Sequence, residues 1–108
     1  MIDSLQEKNG HMDMLKVAST SNPGATAGAI SNSVREQGEA QLQAIGPRAV
    51  NQAVKAIAIA RGYLAASGVD LYFFPGFSNV RIEEQEKTAI HFWVRMRHPI
   101  LGSVEEPF

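Results

Sequence analysis

Between Gly46 and Gly68, apolar residues fall at Val50, Ala53, Val54, Ile57, Ala60 and Leu64. This is the 3.6-residue period of an α-helix, and it predicts one from about Arg48 to Ala65. The helix begins where Gly46-Pro47 turns the chain and closes at Gly68. An apolar stripe this wide cannot face water, so the helix has to lie on a sheet. Its opposite arc carries Arg48, Asn51, Gln52 and Lys55, but also Ile59 and Tyr63. An isoleucine and a tyrosine on the polar side point to a second contact, with a terminal tail or with another copy of the chain.

The remaining segments supply that sheet. Met14 to Ala18 reads as a short strand. Asn22 is a good N-cap, followed by Pro23 at a first helical position, where a missing amide costs nothing. This predicts a helix to about Gln37, burying Ala27, Ile30 and Val34 and stopped by Gly38. Glu39 to Ile45 alternates, with Ala40, Leu42 and Ala44 on one face and Gln41 and Gln43 on the other. Val69 to Phe74 is β-branched and aromatic, Pro75-Gly76 is expected to interrupt it as a bulge or bend, and Phe77 to Ile82 resumes it. Glu83-Glu84-Gln85-Glu86 reads as a hairpin turn, and Thr88 to Arg97 as a long last strand. The order βαβαββ predicts a two-layer α/β (α+β) sandwich, a four-stranded mixed sheet with two helices on one face.

A chain of 108 residues suits one domain. It is expected over 13–97, between a flexible N-terminal extension, 1–12, and a C-terminal tail, 98–108. Gly10-His11-Met12 reads as a joining sequence, which places the natural start near Met12 or Met14. There is no cysteine, which excludes disulfides, cysteine-ligated zinc and a thiol nucleophile. The first ten residues lack the apolar run of a signal peptide, and no stretch approaches the roughly 18 apolar residues of a membrane helix. A cytoplasmic protein with no membrane partner is expected. Net charge is −1, but residues 13–97 hold nine Lys/Arg against seven Asp/Glu, a balance of +2. A mildly basic body between acidic tails permits a phosphate partner.

Several runs resemble the stage V sporulation protein S family: Leu15-Lys16-Val17, Ala27-Gly28-Ala29, Arg35-Glu36-Gln37-Gly38, Gln43-Ala44-Ile45-Gly46, the stretch from Ala49 to Gly62, Ser67 to Leu71, and Thr88-Ala89-Ile90. The likeness covers about 13–97. That family is similar in fold to Alba, whose βαβαββ order is the one read above, and Gly46 to Val54 resembles the entry to the second Alba helix. The resemblance implies a bacterial, non-catalytic regulatory protein of sporulation or a related developmental or cell-division programme, with nucleic-acid binding by analogy with Alba.

Alba-type proteins place cations in the loop after the first strand, at the entry to the second helix and on the last hairpin. Here the first loop, Ser19-Thr20-Ser21-Asn22, has none, the second position keeps Arg48 with Lys55 two turns on, and the hairpin tip is acidic. Alternation along the last strand puts His91, Trp93, Arg95 and Arg97 on one face, an aromatic platform beside two cations that suits unpaired bases. The residues expected to bind RNA or DNA are therefore Arg48, Lys55, Arg95, Arg97, Trp93 and Lys16. Ile59, Tyr63, Tyr72 and Phe74 are the apolar candidates for a homodimer interface. The alternative is that the outer sheet face is simply covered, and that the protein is an adaptor for protein partners without a nucleic-acid ligand. His11, His91 and His98 lack metal-ligand spacing, and no acid–base pair or Ser/His/Asp arrangement is traceable. No metal, no cofactor and no enzymatic activity are expected.

Overall fold

Ala40, Leu42 and Ala44 are buried while Glu39, Gln41 and Gln43 between them are half-exposed. This alternation makes β2 (Glu39–Ala44) an interior strand with one face on a core and one turned away. The computed structural model describes residues 14–97. In it β2 pairs in parallel with β1 (Met14–Val17) and antiparallel with β4 (Gln85–Arg97), which pairs antiparallel with β3 (Asp70–Ile82). The sheet order is β1-β2-β4-β3, so β1 and β3 are its edges.

α1 (Pro23–Gln37) joins β1 to β2, and α2 (Pro47–Ala65) joins β2 to β3. The caps are those the sequence predicts. The Asn22 side chain accepts the Ala25 amide at 2.9 Å, and Gly38 ends α1 in the left-handed conformation. Both helices pack on the same side of the sheet, against Leu42, Leu71, Phe92 and Val94. The element order, the mixed sheet and the one-sided helix layer are as expected.

Three details differ from the sequence reading. The buried side of α2 is Ala49, Ala53, Ala56, Ile57, Ala60 and Leu64, whereas Val54 is exposed and Val50 half-buried. Small side chains let the helix approach its neighbours closely, and this shifts the buried arc toward the alanines. Pro75 and Gly76 do not interrupt β3, since Pro75 pairs with Phe92 and Gly76 with His91 in unbroken register. β3 is an edge strand, so a proline nitrogen on its open side gives up no ladder bond.

The hairpin turn is also tighter than expected. Ile82 pairs with Gln85, so only Glu83 and Glu84 lie in the turn, and both have positive φ, 52° and 65°. Two left-handed residues match the twist of a long hairpin, but the conformation suits asparagine and glycine far better than glutamate. Glu83→Asn combined with Glu84→Gly should raise stability by about 1 kcal/mol, read as a higher urea midpoint at unchanged slope.

Candidate functional site

The side of the sheet away from the helices is where the sequence-predicted residues divide. In register, this outer face carries Lys16 on β1, Glu39, Gln41 and Gln43 on β2, His91, Trp93, Arg95 and Arg97 on β4, and Tyr72, Phe74 and Gly76 on β3. Trp93 stacks on Phe74 at 5.4 Å between ring centroids and on His91 at 3.9 Å, and Tyr72 tilts against Phe74 at 6.5 Å. Gly76 makes room for this, because a Cβ there would lie 2.8 Å from Trp93 Cζ3. Tyr72 and Phe74, read in the sequence as interface residues, therefore share one aromatic stack with Trp93.

The cations at this end of the face are already engaged. Arg95 Nε lies 2.9 Å from Glu39 Oε1, although its N–H does not point along that contact and makes no hydrogen bond. The same guanidinium sits over the Phe74 ring, 5.2 Å from its centroid. Asp70 accepts a hydrogen bond from Arg61 Nε at 2.7 Å and lies 3.5 Å from Arg97 Nη2. The Arg61 hydrogen bond above all, aided by the Leu71 amide and the charge of Arg97, holds the Asp70 carboxyl below its ordinary value. Arg95 and Arg97 are thus tied to carboxylates, at partly exposed sites where such pairs are worth little in stability.

Positive charge without such ties lies at the opposite end, around the first loop. A cleft of about 390 Å³ runs between β1 and the hairpin, lined among others by Lys16, Ser19, Gln43, Ile45, Val80 and Arg81. A second, shallower pocket of about 280 Å³ adjoins it through Ser19 and is lined by Pro47, Arg48, Asn51 and Gln52. Gln52 Nε2 donates to the Ser21 carbonyl at 2.7 Å and ties the loop to α2. Gly46, with φ 91° and ψ 157°, turns the chain into α2 through a conformation essentially closed to other residues. Lys16, Arg48 and Arg81 make no ion pair among the described residues. Lys55 is exposed on the same arc of α2 as Arg48.

Arg81 was missed by the sequence reading, which weighed the hairpin by its acidic tip. Its strand position gave no signal, because only the fold carries β3 back across to β1. The four predicted interface residues are not brought together. Ile59 and Tyr63 are exposed on the flank of α2 that carries Gln52, while Tyr72 helps line a groove of about 310 Å³ with Val54, Ala58 and Phe73 between α2 and β3. His11 and His98 lie outside the described residues. Among the described residues no cluster of three His, Asp or Glu is placed to hold a metal, and no helix is long and apolar enough to cross a membrane.

The sequence model for stage V sporulation protein S matches residues 13–97. The chain belongs to the stage V sporulation protein S family. Alba from Thermoplasma volcanium is similar in structure, with a TM-score of 0.53 at 10% identity, over 78% of this chain and 98% of that one. At that identity the likeness establishes the fold, which is Alba-like, and places this sporulation-family domain on an Alba scaffold.

Within that scaffold His91 is a buried polar group, 8% exposed, with Nε2 2.9 Å from Gln41 Oε1. Burial lowers its pKa below the ordinary 6.5. The unfolded chain therefore takes up the proton first, so the stability tied to neutral His91 is complete above about pH 6.5 and is lost as pH falls through the lowered value. The urea midpoint should drop between pH 7.5 and 5. In His91→Gln, which has no ring to protonate, it should drop measurably less.

Proposed function

We propose that this sporulation-family protein is a non-enzymatic, cytoplasmic nucleic-acid-binding domain that acts as a homodimer in sporulation or related developmental control. The observation that carries the reading is the gathering of Lys16, Arg81 and Arg48 around Ser19, in two adjoining pockets. These three cations make no ion pair among the described residues, although Arg81 faces Glu86 across the hairpin, and beside loop hydroxyls and the start of α2 they form a surface that attracts a phosphate backbone. Lys55 extends it along α2. Arg95, Arg97 and Trp93 contribute at the far end of the sheet, where the arginines exchange Glu39 and Asp70 for phosphate only at a cost.

With about three or four phosphate contacts per copy, binding is modest and weakens steeply with salt. Lys16→Glu combined with Arg48→Glu should lower affinity by about tenfold or more at low salt, measured by fluorescence anisotropy with labelled oligonucleotides, while the thermal midpoint stays in place. Unchanged affinity in that variant would remove the loop-side surface from the reading.

The dimer is supported by the groove of Val54, Ala58, Tyr72 and Phe73, since an exposed apolar channel beside a sheet edge is the surface a second copy covers. Val54→Asp should shift the sedimentation profile toward monomer, with Tyr63→Asp on the other flank of α2 as the comparison. A second reading, an adaptor for protein partners, is favoured by the acidic turn at Glu83 and Glu84 and by Phe77, which is 79% exposed. Absence of oligonucleotide binding at low salt would make it the better one.

A further inference from the structure

The cleft between β1 and the hairpin is not only cationic. Ile45, Val80 and Ile82 give it aliphatic walls, the Gln43 amide stands among them, and Lys16 and Arg81 bring positive charge. At about 390 Å³ it falls at the small end of ligand pockets, roughly 300–1,000 Å³. A phosphate alone needs no apolar wall, and a base held in a duplex must first be unpaired and unstacked to enter, a cost that an unpaired base does not meet.

We propose that this cleft takes one unpaired nucleotide, so that the nucleic acid bound is a single strand. The inference rests on the nucleic-acid reading above and narrows its ligand class. The aliphatic side chains cover the faces of the base, as apolar side chains do around an extruded base. The Gln43 amide supplies a donor and an acceptor to its edge. Lys16 and Arg81 meet the phosphates on either side.

Two further observations agree with a single strand. Gln43 is paired in register with His91, and His91 stacks on Trp93, so a strand leaving the cleft across the outer face reaches the Trp93–Phe74 stack. Aromatic side chains along such a path stack with unpaired bases, and Trp93 and Phe74 are rings there that keep exposed surface. The hairpin tip beyond the cleft, with Glu83, Glu84 and Glu86, repels phosphate, and does so more strongly for a duplex, whose backbone charge is denser than that of a single strand.

The test is anisotropy titration of the full chain with a labelled single strand, the duplex of the same sequence, and a single strand in which the central residues are abasic. The single strand should bind at least about tenfold tighter than both the others, the scale of one stacked base. Val80→Trp, which fills the cleft, should bring single-strand affinity down to that of the duplex and leave duplex affinity and the thermal midpoint unchanged. Equal affinity for single strand and duplex, or for intact and abasic strands, overturns the inference and leaves nucleic-acid binding standing. Absence of binding to all three at low salt overturns both. The abasic comparison uses the unaltered protein, so a Val80→Trp variant that misfolds does not decide the matter.

Discussion

The alanines of α2 at 49, 53, 56 and 60 set the distance between the helix layer and its surroundings, and the surface of the protein follows from that spacing. A buried methyl contributes little area, so cohesion depends on close approach, with Ile57, Leu64, Ile30, Leu42 and Phe92 filling the remaining volume. Because the alanine side faces inward together with Ile57 and Leu64, three other bulky apolar residues of α2 are turned outward on its two flanks. Val54 borders the groove beside β3, and Ile59 and Tyr63 stand on the flank of Gln52. The same placement lets Gln52 hold Ser21, which fixes the first loop beside Arg48.

Charge is divided along the sheet by pairing rather than by composition. At the β3–β4 open end, Arg61, Arg95 and Arg97 are matched by Asp70 and Glu39, and one guanidinium is also spread over Phe74. At the loop end, Lys16, Arg48 and Arg81 gather in pockets whose described lining holds no carboxylate. A nearly neutral chain thereby presents a locally positive region there, since long side chains close enough to pair cancel each other's field while those not so paired add.

How much of this was legible in the residues depended on the range of the interaction. The Asn22 cap, the Gly38 stop and the alternation of β2 are decided within a few positions, and they read directly from the sequence. Pro75-Gly76 misled because a proline's effect depends on whether its strand has a neighbour on that side, and strand order is not a local property. Val54 misled because periodicity locates an apolar arc but not which part of it the smallest residues draw inward. The Glu83-Glu84 turn misled because neither residue favours a positive φ, and the twist of two thirteen-residue strands overrides that preference.

The sequence by itself determined the element order, the one-sided helix layer, the family and the exclusion of thiol chemistry, because these follow from periodicity, caps, composition and residue runs read locally. The tertiary structure alone decided which cations are tied to carboxylates, that Arg81 on the third strand stands across a cleft from Lys16 on the first, and that Trp93 and Phe74 are one stack over Gly76. Those facts depend on contacts between residues dozens of positions apart, and pairing, like packing, is a property of distance in space rather than distance along the chain.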